Sequence, residues 1–146
     1  ASSCSSAGMV AGARQEIVDA LWGYGIELGR AFQLVDDILD LEGDETIGKP
    51  RGTDVHEGKM TLPIIYALTM LHGQDREHLK DVLTNFGDDR LHELVQLLET
   101  AGSFEYSRVL VSNHVERALE HLRALPDSDE KVLLSEMALI SEARTN

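Results

Sequence analysis

A single cysteine, Cys4, rules out an internal disulfide, and so sparing a use of thiols fits a reducing, cytoplasmic compartment. Basic residues are also scarce. Lys and Arg number 13 against 26 Asp and Glu, a formal net charge of −13. So acidic a chain is a poor partner for nucleic acid or an anionic membrane surface. No stretch approaches the roughly 18 consecutive apolar residues of a membrane-spanning helix. The three prolines fall in a loop (50), at an expected helix start (63) and between two expected helices (126). No period-two strand pattern is present either, which leaves an all-α fold. What remains is 42% hydrophobic and 27% charged, with the charges spread along 146 residues. That composition argues against disorder and suffices for one core.

The first residues, ASSCSSAGMVAGA, end in an Ala-Gly-Ala that mimics a leader cleavage site but lack a basic start and an apolar centre. Residues 1–12 read instead as the middle of a small-residue helix, one that a neighbouring helix could approach closely. A long helix over 13–41 follows. Ile17, Leu21, Tyr24, Leu28, Ala31, Val35 and Ile38 alternate steps of three and four, the spacing of a buried seam. Further helices are expected over 61–72, 75–86, 89–101, 103–125 and 128–144, with Gly73, Gly87, Gly102 and Pro126 between them. Thr61 suits the N-cap of its helix and Pro63 the first turn. Trp22 and Tyr24 are expected in the core or an interface, and Phe104 and Tyr106 in the core.

The end of the long helix carries the chemistry. At about 100° per residue, with Gln33 as zero, Asp36 falls near −60°, Asp37 near +40° and Asp40 near −20°. The four polar side chains share one arc, opposite a stripe of Leu28, Ala31, Leu34, Val35, Ile38 and Leu39. Three carboxylates so close oppose one another's ionisation, and Asp40 sits near a helix C-terminus, where the macrodipole disfavours an anion. A hard divalent cation would remove the conflict; Mg²⁺ commonly takes one or two carboxylates, several waters and substrate phosphates. The loop over 42–60 then offers Lys49, Arg51 and Lys59 to a phosphate-bearing ligand. A DDxxD taken alone is more often a solvated acidic face, and the lysine-bearing loop shifts that balance. An EF-hand fails, because with Asp40 as the first position the sixth is Glu45 and the twelfth is Arg51. Gly29 lies in the acidic stripe, either as room for a substrate or as a close helix contact. The six histidines show no i, i+4 pair; His114 and His121 could share a face, but exposed helix histidines are commoner. Cys4 has no evident base partner and reads as a small buried residue.

The string FQLVDDILDLEGDETIGKPRGTDVHEGKMTLPIIYAL resembles the second aspartate-rich region of the trans-isoprenyl diphosphate synthases, the polyprenyl synthetase family. The EGKMTLPIIYAL wording is most similar to the medium- and long-chain polyprenyl members, and the resemblance runs to both ends of the chain. It implies an all-α helical bundle of the isoprenoid synthase type, with residues 1–146 as the C-terminal part of a single domain. The family's first aspartate-rich motif would lie upstream of Ala1, so the chain by itself is expected to be inactive. The activity implied is Mg²⁺-dependent head-to-tail addition of isopentenyl diphosphate to an allylic diphosphate, in a homodimer. Asp36, Asp37 and Asp40 would hold metal, Lys49 and Lys59 would contact diphosphate, and Phe32 and Gln33 would line the allylic site. Two other classes stay open: a class I terpene cyclase or head-to-head synthase, and a non-catalytic helical partner subunit.

Overall fold

The seam of the long helix decides what packs where. The computed structural model describes residues 1–43 and 51–144, and every regular element among them is helical. They are α1 (Ser2–Val10), α2 (Gln15–Glu42), α3 (Thr53–His56), α4 (Leu62–Met70), α5 (Gly73–Thr84), α6 (Leu91–Thr100), α7 (Ser103–Leu122) and α8 (Asp129–Ala143), with a 3-10 turn at Asp88–Arg90. Along α2, Tyr24, Ala31, Val35 and Ile38 are essentially inaccessible to solvent. Seams of this kind hold the fold: each Leu or Ile fully withdrawn from water contributes roughly 1.5–3 kcal/mol before conformational entropy is subtracted. None of the helices among the described residues is long and apolar enough to cross a membrane.

The chain divides into two compact units, Ala1–Val35 with Val109–Asn146, and Asp36–Arg108. In the first, the expected small-residue contact is present. A Cβ on Gly25 would lie 2.5 Å from the Ala1 backbone and 3.3 Å from Cys4 Sγ, so only glycine admits α1 at that distance. Gly23 is tight for another reason, since its missing Cβ would fall 2.4 Å from the His121 ring of α7. The Tyr24 hydroxyl donates to the Leu134 carbonyl of α8 at 2.8 Å. Burial, with the neighbouring Cys4 charge second, pushes that hydroxyl up to about 12. Ser128 starts α8 by accepting from the Lys131 N–H at 3.2 Å, and Asp129 and Glu130 follow where the helix dipole favours acids.

The first unit also holds a buried carboxylate. Glu27 is 8% exposed, accepts from Arg30 at 2.9 Å and is bonded to His114 Nδ1 at 2.6 Å. Burial pushes its carboxyl up, but the His114 hydrogen bond and charge, with Arg30 and Arg117, bring it below its ordinary 4.5 overall. A depressed folded value gives stability that is present above the unfolded value and lost as pH falls through the folded one. Glu27→Gln should therefore cost about 1–2 kcal/mol at pH 7 in denaturant unfolding, with the difference shrinking below pH ~4. A cost independent of pH would mean the ionised carboxylate contributes nothing.

In the second unit α4, α5 and α6 pack on one another, and Leu79, Val82, Leu94 and Leu98 are fully buried. Two expectations, at Gly73 and Tyr106, need correction here, while the one at Thr61 is met in position. Gly73 does not end α4, which stops at Met70 because Leu71 turns to extended backbone (ψ 145°); Gly73, at φ +57°, opens α5. Thr61 stands at the N-cap of α4, yet its side chain makes no capping bond. Tyr106 is 39% exposed and stacks on Tyr66 with ring centres 4.2 Å apart, whereas Phe104 is buried as expected. In the first unit Trp22 is 47% exposed, so it does not belong to the core.

Candidate active site

Asp36, Asp37 and Asp40 occupy the last two turns of α2, as the acidic stripe requires. Asp36 and Asp37 are half-buried, and Asp40 is only 7% exposed. The chain that leaves α2 returns to the same turn. The Gly52 N–H donates to the Asp40 carbonyl at 2.7 Å, and the Asp54 N–H to Asp40 Oδ2 at 3.1 Å. Arg51 donates through Nε to the Leu41 carbonyl at 2.9 Å, and through Nη2 to the same oxygen. Its cation thus caps the negative end of α2, a use that differs from the phosphate contact its loop position suggests. Gly52 has φ +72°, and a Cβ there would meet the Phe86 ring at 3.0 Å, so the return path needs glycine on both counts.

This return brings in a fourth carboxylate. Asp54, at the start of α3, raises the Asp37 carboxyl together with Asp36 and Asp40. Burial is the largest cause of that rise, and the Leu62 N–H, 3.5 Å from Asp37 Oδ2, opposes it. The G-x-D spacing at Gly52–Asp54 carried the signal for this residue, but only the folded loop shows that it faces the stripe. Glu42, at the end of α2, is likewise raised by burial, and less so by Glu99, against its pairing with Arg108. Among the described residues, no group of three or more His, Cys, Asp or Glu side chains is arranged to hold a metal ion.

Of the two expected phosphate ligands, Lys49 lies outside the described residues. Lys59 is bonded to Asp54 Oδ1 at 2.8 Å and Glu57 Oε2 at 2.7 Å, with its side chain 57% exposed. Those two hydrogen bonds, Asp54 first, hold its ammonium well above the usual lysine range. Solvent screens exposed ion pairs of this kind, so Lys59 can exchange partners at little cost. Phe32 and Gln33, one turn before the aspartates on α2, are both exposed. The Arg144 guanidinium stands over the Phe32 ring at 5.7 Å, a contact between residues 112 positions apart that no local pattern announces. Among the described residues a Cβ on Gly29 would meet nothing within 4 Å, which favours open room over close helix packing at that point of the stripe.

The family model for polyprenyl synthetase matches residues 1–99. A short chain isoprenyl diphosphate synthase of Methanothermobacter thermautotrophicus is 42% identical over 132 residues, 89% of this chain and 40% of that protein. The crystal structure of a decaprenyl diphosphate synthase from Rhodobacter capsulatus superposes with a TM-score of 0.87 at 32% identity, covering 97% of this chain and 45% of that one. A geranylgeranyl pyrophosphate synthase from Corynebacterium glutamicum, complexed with isoprenyl diphosphate and magnesium, gives 0.84 at 30% identity, covering 92% and 40%. The chain thus spans less than half the length of the proteins it matches.

Proposed function

The chain belongs to the polyprenyl synthetase family, and from that premise we propose that it is the C-terminal part of a trans-polyprenyl diphosphate synthase. The observation that carries this reading is the carboxylate group itself. Asp36, Asp37 and Asp40 share one helix end with Asp54 folded back beside them, and Asp37 is pushed towards its protonated form by burial and by its three neighbours. All-oxygen donors in mutual repulsion fit a hard divalent cation, and magnesium accompanies isoprenyl diphosphate in the C. glutamicum enzyme. When bound, Mg²⁺ supplies Lewis-acid neutralisation of a departing diphosphate.

In this reading Asp36, Asp37 and Asp40 present carboxylate oxygens to the metal, directly or through water. Lys59 leaves Asp54 and Glu57 for a diphosphate oxygen, and Lys49 contacts the same group. Phe32 and Gln33 line the allylic site, where Gly29 leaves space on the helix surface. The allylic C–O bond breaks, the double bond of isopentenyl diphosphate forms the new C–C bond, and the proton lost from that unit passes to the departing diphosphate. The relatives matched are named for products from short-chain to decaprenyl, so their names do not select a length. The same family reading carries a homodimer, which sedimentation of the full-length protein would test.

The test of the activity uses labelled isopentenyl diphosphate, an allylic diphosphate and Mg²⁺. The full-length protein should give elongated product, and residues 1–146 alone should give none. Product formed from the allylic diphosphate without isopentenyl diphosphate would replace this reading with a terpene cyclase.

A further inference from the structure

The start of α4 is unusual in which side chain serves it. Thr61 has the extended backbone of an N-cap residue (φ −75°, ψ 163°), and its carbonyl accepts from the Ile65 N–H at 3.0 Å. An N-cap threonine ordinarily turns its hydroxyl oxygen to the N–H of the second or third helical residue. Pro63 is the second and has no N–H, so Ile64 is the amide within reach. Yet the Thr61 hydroxyl is buried, in a residue only 8% exposed, with no hydrogen-bond partner among the described residues. The side chain that does serve the helix start is Asp37, whose Oδ2 accepts from the Leu62 N–H at the long distance of 3.5 Å. A carboxylate of the acidic stripe occupies the helix start while the proper cap beside it stands idle.

We propose that Thr61 is a positioning residue that releases Asp37 for metal binding, its hydroxyl capping α4 at the Ile64 N–H when the Asp37 carboxylate turns away from Leu62. The inference rests on the metal-binding reading of the aspartate stripe. Its physical basis is that a helix start should not be left without a side-chain acceptor, because buried amides without partners are costly. An unsatisfied hydroxyl is costly in the same way, so the arrangement seen here leaves Thr61 ready to move. The backbone of Thr61 already has the capping conformation.

The experiment uses the full-length protein with Mg²⁺ and inorganic diphosphate as the probe. Hydrogen exchange resolved at single amides should show Ile64 gaining protection on Mg²⁺ addition and Leu62 losing it. By titration calorimetry Thr61→Val should bind Mg²⁺ about fivefold more weakly, the usual size of a lost cap, and Thr61→Ser should restore affinity. Unchanged protection at both amides in the wild-type protein would overturn the proposal, whatever the variants do. So would equal Mg²⁺ affinity in wild type and Thr61→Val. A wild-type protein that binds no Mg²⁺, or binds it equally well after Asp36→Ala, overturns the metal reading and this inference with it. Binding that depends on Asp36 but not on Thr61 overturns this inference alone.

Discussion

Asp36→Ala in the full-length protein is expected, on the proposed prenyltransferase reading, to lower turnover by about 10³-fold, the scale seen when one preorganised electrostatic group is removed from a reaction that develops charge. The reasoning runs from position. Asp36 lies on the α2 arc shared with Asp37 and Asp40, and it is half-buried, so its carboxylate is accessible to a cation without unpacking the helix. The opposite stripe, with Val35 and Ile38, holds the fold and is untouched by the change. Circular dichroism and melting temperature should therefore stay near wild type while Mg²⁺-dependent turnover collapses. Near wild-type turnover in the variant would refute the assignment of the stripe as the metal site.

Asp37→Asn should separate stability from activity. The folded chain holds the Asp37 carboxyl above its ordinary 3.8, through burial first and then the charges of Asp54, Asp36 and Asp40, against the Leu62 N–H. For an acid whose folded value is raised, ionisation disfavours the folded state. The penalty is absent below the unfolded value, grows as pH rises through the folded value and is constant above it. Asparagine never ionises and can still accept from the Leu62 N–H. In chelator at pH 7 the variant should thus melt a few degrees higher than wild type, with the gain vanishing below about pH 4. With Mg²⁺ and diphosphate the order should reverse, because the wild type gains more from the ligand, and turnover of the variant should fall about 10²-fold. Equal melting temperatures in chelator at pH 7 would show that the carboxylates are not in conflict. Such a trade of stability against function is the expected mark of a site where local rules are broken.

Much of this was legible in one dimension. The alternation of three and four from Ile17 to Ile38 gave α2 to within two residues at each end, because burial of one stripe is what makes that helix. The acidic arc was legible for the same reason, and so were the breaks at Gly102 and Pro126. The unread features come from chain return. Glu27 and His114 are 87 residues apart, and Arg144 meets Phe32 across 112, so neither pair has a periodic signature. Arg51 looked like a phosphate ligand because sequence gives its charge and not the carbonyl it faces. Asp54 and Lys59 are near in sequence, but no helical spacing relates them; the turn after α3 brings them together. Thr61 fills its expected position while its hydroxyl is unused, a difference of rotamer that composition cannot encode.

The return of the chain onto Asp40 has a consequence for how this region can tolerate a change of length. The Gly52 and Asp54 amides both close on that one residue, so the intervening segment begins and ends at a single fixed gate. Lengthening a tether between pinned ends carries only a small entropic charge, about 0.6 kcal/mol for each doubling. Insertions there can accumulate while Asp40 and Asp54 keep their places. The positions of Asp40 and Asp54 are thereby uncoupled from the number of residues that join them.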